Sequence, residues 1–345
     1  MAKLFFLLSG EFETLSFSEL KAVLTAENYA YSIVEKLDQT VRLTARMESV
    51  IQVQRRSAYT RVCALELFTC NADDEDIVRA AGETDFRAVL KEGDAFEVRI
   101  RRIKEYSIKD DTMRLERQLG KHILDHTENT SVNLRKPNKT FFGILTSRKL
   151  VFGLRLAEIQ PKPFVDRRPR KKPFFHPSAM NAKLARCMVN LAQPKIGDIV
   201  LDPFCGTGTT ILEAALIDSE PIGVDVQRRM IKGAKKNLRH FGLSAEDLIL
   251  ADARVLPLTR VDCVVTDPPY GKSATTLKST TKAIVANILK SAQTLLGKGQ
   301  RICIASPKTL HIAELGKELG YAHVESHFAY VHRTLTREIA VFQKE

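Results

Sequence analysis

The chain contains 345 residues, of which 44% are hydrophobic, so it is long enough for two or three domains with apolar cores. Lys and Arg number 53 against 41 Asp and Glu, and the net charge of +12 favours a polyanionic partner, although a merely basic protein gives the same balance. The apolar run at residues 4–8 is too short for a signal peptide or a membrane span, so we expect a cytoplasmic protein that has no membrane partner.

The six cysteines include no C-x-x-C pair, which disfavours a zinc site, and we expect no metal. Spacing leaves open whether Cys63 and Cys70 form a disulfide. The other four cysteines lie in apolar segments and are expected to be reduced core residues.

Residues 1–56 alternate short strand and helix patterns. The stretch "KLFFLLS" predicts a strand, and the S-x-x-E spacing of Ser16 and Glu19 predicts a capping box that opens the following helix. Two paired strands and a second helix follow. The order strand–helix–strand–strand–helix predicts a ferredoxin-like α+β domain over residues 1–56.

Residues 57–157 have a pattern of their own, with a hairpin predicted to turn at Ser147–Lys149. In "AFEVRIRRI" apolar and basic residues alternate, which is typical of a strand with one exposed basic face. Four cations on or next to this strand are candidates for RNA contacts: Arg99, Arg101, Arg102 and Lys104.

Residues 158–173 are expected to form a basic, proline-rich linker. The stretch "QPKPFVDRRPRKKPFFHP" contains several prolines, which make it extended and stiff. Its cations are either a solvated surface or contacts to nucleic-acid phosphates. The phosphate-contact candidates are Arg167, Arg168, Arg170, Lys171 and Lys172.

From residue 174 to residue 345, strand and helix patterns alternate, which predicts a doubly wound parallel sheet. The final stretches "AHVESHFAYVHR" and "TREIAVFQ" predict an antiparallel strand pair at one edge. The expected fold class is therefore α/β: a Rossmann-like domain with an antiparallel edge, preceded by α+β domains.

A glycine-containing loop follows the first strand of this region, in "LDPFCGTGTTILEA". A strand, a glycine loop and a helix in that order bind nucleotides at the carboxyl edge of an open sheet. Ile211 replaces the third glycine of dinucleotide sites, and no Gly-Lys-Ser/Thr follows, which excludes a P-loop. The loop candidates for cofactor binding are Asp202, Phe204, Cys205, Gly206, Gly208 and Thr209.

The next two strands also end in acids. Asp225, with Val226 beside it, is expected to hold ribose hydroxyls. The third strand ends in "ADA", which is expected to place Asp252 near an adenine amine and the Ala253 N–H near a ring nitrogen.

The fourth strand leads into "VVTDPPYGKS". Adjacent prolines have no N–H for a sheet ladder, so the strand must stop at Asp267. The rigid loop Asp267, Pro268, Pro269 and Tyr270 then holds a carboxylate, carbonyls and an aromatic ring in fixed relation, which suits a flat substrate that carries nitrogen.

Together, "DPFCGTGT", "GVDV", "ADA" and "DPPYG" resemble the motifs of Rossmann-fold methyltransferases that use S-adenosylmethionine, and DPPY resembles enzymes that methylate exocyclic amines of bases. The resemblance implies that the Asp267 carboxylate and the Pro268 carbonyl accept hydrogen bonds from the N–H groups of the amine. It also implies that Asp267 borders the cofactor and that the Tyr270 ring stacks on a splayed base.

"FFHPSAM" resembles the segment that cups the methionine part of the cofactor, with His176 and Ser178 as polar candidates. His176 could equally be a loop histidine with a backbone partner. Because the cofactor motifs lie between His176 and Asp267, we expect a fragment starting near Lys172 to fold.

The N-terminal half looks like the THUMP module of tRNA-modifying enzymes, which implies a THUMP RNA-binding domain over residues 57–157. Over its full length the chain is similar to archaeal and eukaryotic tRNA guanine-N2 methyltransferases acting at position ten, and the final strand pair also looks like that family's. The resemblance implies tRNA as partner and successive mono- and dimethylation; we expect a monomer. The alternatives are guanine at another tRNA or rRNA position, a DNA amine, and a non-catalytic RNA-binding protein.

Overall fold

The structure is a computed structural model that describes residues 1–104, 112–244, 247–270, 280–333 and 335–345. The chain forms two compact units. The first comprises Met1–Phe17, Asn28–Gln54 and Thr60–Gln160, and the second comprises Ser18–Glu27, Arg55–Tyr59 and Pro161–Glu345.

The strands of the first unit form one sheet. They are β1 Ala2–Leu8, β2 Tyr31–Leu37, β3 Thr40–Ala45, β4 Thr60–Asn71, β5 Ala95–Arg102, β6 Ser131–Val132, β7 Lys139–Thr146 and β8 Lys149–Glu158. Within the described residues the order is β2-β3-β1-β4-β8-β7-β5-β6. The helices up to residue 160 are α1 Glu13–Ala26, α2 Ser49–Arg56, α3 Asp74–Gly82 and α4 Thr112–Asp125.

This sheet crosses the predicted boundary between residues 56 and 57. β1 pairs antiparallel with β4, with Leu4 opposite Leu65, so both predicted α+β segments contribute to a single sheet. The predicted order of elements in residues 1–56 is confirmed. The predicted hairpin is also confirmed, because Ser147 and Arg148 adopt positive φ angles of 49° and 61° between β7 and β8. The domain limits and the THUMP assignment stay predictions.

The prediction of a capping box at Ser16 and Glu19 is wrong. Helix α1 begins at Glu13, and the Ser16 hydroxyl donates to the carbonyls of Ser9 (2.9 Å) and Phe12 (2.7 Å). The Glu19 carboxylate instead accepts the backbone N–H groups of Ala58 (2.9 Å) and Tyr59 (2.8 Å). These tertiary donors override the local S-x-x-E pattern.

The second unit has a doubly wound sheet. Its strands are β9 Ile199–Asp202, β10 Glu220–Asp225, β11 Leu248–Leu250, β12 Cys263–Thr266, β13 Arg301–Pro307, β14 Tyr321–His332 and β15 Leu335–Lys344. The helices after residue 160 are α5 Lys162–Asp166, α6 Ala182–Leu191, α7 Thr209–Ala215, α8 Arg228–His240, α9 Thr281–Leu295 and α10 Ile312–Glu318. Over the part of the chain described, the strand order is β11-β10-β9-β12-β13-β15-β14.

Strands β9 to β13 pair in parallel, whereas β15 and β14 are antiparallel. Both faces are covered, so the strand interiors are apolar; Leu201, Val264 and Ile302 are at most 1% exposed. This confirms the predicted Rossmann-like fold and its antiparallel edge. Among the helices within the described ranges, none is long and apolar enough to cross a membrane.

Candidate active site

The four acids singled out in the sequence lie at one edge of the second unit's sheet. Asp202 ends β9 and Asp225 ends β10, while Asp252 and Asp267 follow the ends of β11 and β12. These strands are neighbours in the order β11-β10-β9-β12 and run in parallel. Parallel strands bring their carboxyl ends to the same edge, where open α/β sheets bind ligands.

The glycine loop has the backbone geometry that a close ligand requires. Gly206 and Gly208 adopt left-handed φ angles of 50° and 77°, which residues other than glycine rarely adopt. A Cβ on Gly208 would lie 3.1 Å from the Cβ of Ala234 in α8. The Cys205 N–H donates to the Val224 carbonyl (2.9 Å), which fixes the loop on β10. The Cys205 and Thr209 side chains are buried, so this loop presents mainly its backbone.

Asp225 connects β10 to the glycine loop. Its carboxylate accepts the Gln227 N–H (2.8 Å) and the Gly206 N–H (3.1 Å). Burial raises its pKa, and these two N–H donors counteract the rise. Each carboxylate oxygen has a second lone pair, so the group can also accept hydroxyls. Val226 is 43% exposed beside it and offers apolar surface to a nucleoside ring. The binding of a cofactor nucleoside by this pair stays a prediction.

Asp252 forms an ion pair with Arg254, with 2.6 Å between Oδ2 and Nη2. The hydrogen bonds from Arg254 lower the pKa of the Asp252 carboxyl. Ala253 is buried. The predicted contacts of both residues to adenine stay predictions.

Asp202 is buried inside the protein. Its Oδ1 accepts the Thr266 hydroxyl (2.7 Å) and the Phe204 N–H (3.1 Å), so it joins the end of β12 to the loop after β9. Burial raises its pKa to about 7, against the effect of these donors. Asp202 therefore supports the loop from within, and a direct cofactor contact stays a prediction.

His176 and Ser178 are brought together before the glycine loop. The His176 Nδ1 lies 2.7 Å from the Ser178 hydroxyl and 3.3 Å from the Ser178 amide nitrogen, so the histidine does have a backbone partner. Their contact with the methionine part of a cofactor stays a prediction.

Asn237, which the sequence analysis missed, ties this segment to the glycine loop. Its amide group donates to the carbonyls of Phe174 (3.0 Å) and Thr207 (2.9 Å) and accepts the Phe174 N–H (2.9 Å). The available signal was helical spacing, because Asn237 stands at the same face of α8 as the apolar residues Met230, Ala234 and Leu238.

Two of the predicted phosphate-contacting cations are buried, which contradicts that role. Arg167 makes a bidentate ion pair with the buried Glu213 (2.7 and 3.1 Å). The Lys172 ammonium donates to the Thr209 hydroxyl (2.7 Å), and burial lowers its pKa to about 8. Arg167 and Lys172 are 9% and 5% exposed, so phosphates cannot reach them without rearrangement. Both cations lie in the interior of the second unit, where the Glu213 carboxylate balances their charge.

The other predicted cations are exposed. Arg168, Arg170 and Lys171 lie on the surface of the second unit. In the first unit, Arg99, Arg101, Arg102 and Lys104 are also exposed; Arg99 forms an ion pair with Glu97 (2.7 Å) and Lys104 with Asp38 (3.0 Å). An RNA contact by any of them stays a prediction.

The Asp-Pro-Pro-Tyr loop begins directly after β12. Asp267 Oδ2 lies 2.8 Å from Nη2 of Arg337 on β15, and its Oδ1 accepts the Tyr270 hydroxyl. The Arg337 guanidinium lies 5.8 Å from the centre of the Tyr270 ring. Burial raises the pKa of Asp267 to about 6, and Arg337 opposes the rise. Gly271, the last residue of the quoted motif, lies outside the described residues.

Arg337 is the second residue that the sequence analysis missed. It stands in a strand that was recognised, but an arginine there gives no sign of a partner seventy positions earlier. Its contact with Asp267 means that the loop's carboxylate is held in place from a strand beyond β13.

Chemically, this arrangement can accept hydrogen bonds from an amine beside the glycine loop. Asp267 is largely buried, its pKa of about 6 favours the charged form at neutral pH, and the ring next to it can stack on a base. Within the described ranges, no cluster of three or more His, Cys, Asp or Glu side chains could hold a metal ion.

Two family models match the chain. The one described as "RMKL-like, methyltransferase domain" matches residues 169–338 and so includes the glycine loop, all four acids and Arg337. One described as "DNA methylase" matches residues 42–236, which end before Asp267.

Relatives that match over nearly the full length agree with the first match. The chain is 37% identical over 339 residues to the tRNA (guanine(10)-N2)-dimethyltransferase of Methanothermobacter thermautotrophicus, covering 98% of each chain. It is 31% identical to the enzyme of the same name from Methanocaldococcus jannaschii, covering 98% of this chain and 99% of that one.

The fold matches TrmN from Thermus thermophilus, with a TM-score of 0.55 and 24% identity over 99% of this chain and 100% of that one. It also matches a putative methyltransferase complexed with SAH, with a TM-score of 0.54 and 15% identity over 100% of this chain and 98% of that one.

Proposed function

We propose that this chain, which belongs to the tRNA (guanine(10)-N2)-dimethyltransferase family, transfers methyl groups from S-adenosylmethionine to the exocyclic N2 amine of a tRNA guanosine. The observation that carries the proposal is the placement of Asp267, paired with Arg337, directly after β12, the neighbour of the strand that leads into the glycine loop. A cofactor loop and an amine acceptor on adjacent strands are what this reaction needs.

The residues that would hold the cofactor are the backbone of the glycine loop, Asp225 with Val226, and the segment that carries His176 and Ser178. Their fit rests on the left-handed glycines, on the spare acceptor capacity of Asp225 and on the exposed apolar side chain of Val226. When bound, S-adenosylmethionine supplies an electrophilic methyl group on its sulfonium.

The protein's task is to make a poor nucleophile react. The lone pair of the guanine amine is delocalised into the ring. The Asp267 carboxylate and the Pro268 carbonyl accept hydrogen bonds from the two N–H groups of the amine. These hydrogen bonds draw the N–H groups out of the plane of the ring, which localises the lone pair on nitrogen. Asp267 is also placed to take the proton that the nitrogen loses, since its pKa of about 6 lies close to neutral pH. Tyr270 holds the splayed base by stacking.

The names of the relatives support a proposal for the position and number of methyl groups. Two full-length relatives are named as dimethyltransferases of guanine 10, which supports successive mono- and dimethylation at that position. We also propose that the protein acts as a cytoplasmic monomer.

Methylation of DNA is less well supported, because the DNA methylase match ends before Asp267 and therefore omits the loop that would touch the amine.

Nucleoside analysis tests the proposal. An unmodified tRNA transcript would be incubated with the full-length protein and labelled S-adenosylmethionine, digested and analysed. We expect N2-methylguanosine first and N2,N2-dimethylguanosine later, with no label in a matched transcript that has adenosine at position 10. Label in another nucleoside, at another position, or in duplex DNA under the same conditions would refute it.

A further inference from the structure

Strand β14 exposes two aromatic rings at the edge of the second unit's sheet. Phe328 is 51% exposed and Tyr330 is 68% exposed. They are two residues apart on a strand, so their side chains lie on the same face. β14 has only β15 as a neighbour in the order of the described strands, so this face lies at an open edge. Large exposed rings side by side are uncommon on a surface that has no partner.

The rings lie at the end of the β14–β15 strand pair that also carries Arg337. Ala329, which stands between them, is directly opposite Arg337, the residue that pairs with Asp267, so the rings lie at the same end of the strand pair as Arg337 but on the other face of the sheet. Lys308 follows β13 at its carboxyl end, and its ammonium lies 5.1 Å from the centre of the Phe328 ring. The patch therefore combines aromatic faces with a cation at the carboxyl end of β13.

This combination fits unpaired nucleotides better than a second copy of the chain. A two-fold contact centred on Phe328 and Tyr330 would bring Lys308 and the exposed Arg333 of one copy towards the same cations of the other. The pairing of β14 with β15 also shifts register between His323 and Glu325 and between Tyr330 and His332. Bulges of this kind disfavour edge-to-edge strand pairing.

We propose that Phe328 and Tyr330 stack on bases of the tRNA that are unpaired next to the target guanosine, while Lys308 contacts a phosphate between them. The proposal rests on the proposed function and adds a binding surface outside the cofactor and amine sites. Splaying one guanosine out of folded RNA leaves its neighbours unstacked, and aromatic side chains can replace that lost stacking. This surface would therefore lower the cost of presenting the amine to Asp267.

Side-chain exchanges that keep the apolar character but remove the ring test this proposal in the full-length protein. Phe328→Leu and Tyr330→Leu should each weaken tRNA binding by about 5- to 10-fold, since each removes one base stack. Phe328→Tyr and Tyr330→Phe should bind as the wild type does, because stacking needs only the ring. Val324→Ala, which trims another exposed apolar residue of β14, is the matched control and should also bind normally. S-adenosylmethionine affinity, measured by calorimetry, should be the same in all five variants.

The role of Lys308 is tested by salt dependence. Lys308→Gln should reduce the slope of log affinity against log salt concentration by about 0.7 to 0.9, the effect of one phosphate contact. An unchanged slope would show that Lys308 makes no phosphate contact and does not belong to the proposed binding surface.

Three outcomes would overturn the stacking proposal: leucine variants that bind tRNA as the wild type does, aromatic exchanges that weaken binding as much as leucine, or a wild-type dimer that only the leucine variants dissociate. The proposed function is judged separately. It is decided by the nucleoside analysis of the wild-type protein, whatever these variants do.

Discussion

Arg337 on β15 holds the carboxylate of Asp267 at the end of β12, with 2.8 Å between Nη2 and Oδ2. Strand β13 lies between the two strands, so the arginine side chain reaches across it. Both side chains are largely buried, with 12% of the arginine and 15% of the aspartate exposed. The guanidinium therefore fixes the direction of the carboxylate and opposes the rise in pKa that burial causes.

This pair gives a prediction about pH. Burial raises the pKa of Asp267 to about 6, and Arg337 keeps it from rising further. Arg337→Gln should therefore raise that pKa, so that less of the carboxylate is charged at pH 7. The acid limb of kcat/KM against pH should move to higher pH, and activity should partly recover above pH 8.

Arg337→Lys is the matched variant, because it keeps the charge but not the planar guanidinium, and its acid limb should shift less. A uniform loss of kcat at every pH, with the acid limb unmoved, would show that Arg337 only supports the fold.

Tyr270 should contribute through its hydroxyl as well as its ring. Sequence reasoning gave the ring a role, but the hydroxyl donates to Asp267 Oδ1. A hydrogen bond to a charged group contributes about 1.5–3 kcal/mol, so Tyr270→Phe should lower kcat/KM by about 10-fold or more. Tyr270→Ala should lower it further, because base stacking is lost too. A fully active phenylalanine variant would contradict the role of the hydroxyl.

Asp225→Ala should weaken cofactor binding rather than chemistry. The change removes the acceptor of the Gly206 and Gln227 N–H groups and any ribose contact. Calorimetry should show a loss of about 1.5–3 kcal/mol in S-adenosylmethionine affinity. Glu220→Gln, an exposed change at the opposite end of β10, is the control and should bind normally. Equal affinities would make Asp225 a turn residue only.

The second unit should not fold from its C-terminal sequence alone. Its compact body includes Ser18–Glu27 and Arg55–Tyr59. The fully buried Asn190 on α6 donates to Glu19 (2.9 Å) and accepts from Arg56 Nε (3.3 Å). The sequence-based expectation of a folded fragment that starts near Lys172 therefore needs correction, because truncation leaves buried polar groups without partners.

We expect the 172–345 fragment to lack a cooperative thermal transition and to bind S-adenosylmethionine far more weakly than the full chain. A fragment that melts cooperatively and binds with the full chain's affinity would contradict this.

The sequence predicted the strand ends because their signals are local. Apolar runs that stop at Asp, Gly or Pro mark the carboxyl edge of a parallel sheet, so the positions of Asp202, Asp225 and Asp267 could be inferred without coordinates. The glycine loop and the hairpin turn depend on backbone conformations that particular residues favour, and these were also predictable.

The roles of Arg167, Lys172 and Arg337 could not be predicted, because they depend on contacts between residues far apart in the sequence. Arg167 and Lys172 belong to a charged run that looks like a solvated surface, yet Glu213 and Thr209 draw them into the interior. Arg337 gains its role only once β15 has paired beyond β13. Such contacts are fixed by tertiary packing, and short-range spacing carries no signal of them.

The central claim is that Asp267 acts on the amine and not on the cofactor, and Asp267→Asn tests it most directly. Asparagine has nearly the same shape but no charge and only one acceptor oxygen. Methyl transfer to tRNA and S-adenosylmethionine affinity would be measured on the same preparation. The account predicts that transfer falls by more than about 100-fold, or about 2.7 kcal/mol, while cofactor affinity stays within about twofold. Transfer within about tenfold of the wild type, or a parallel loss of cofactor binding, would contradict it.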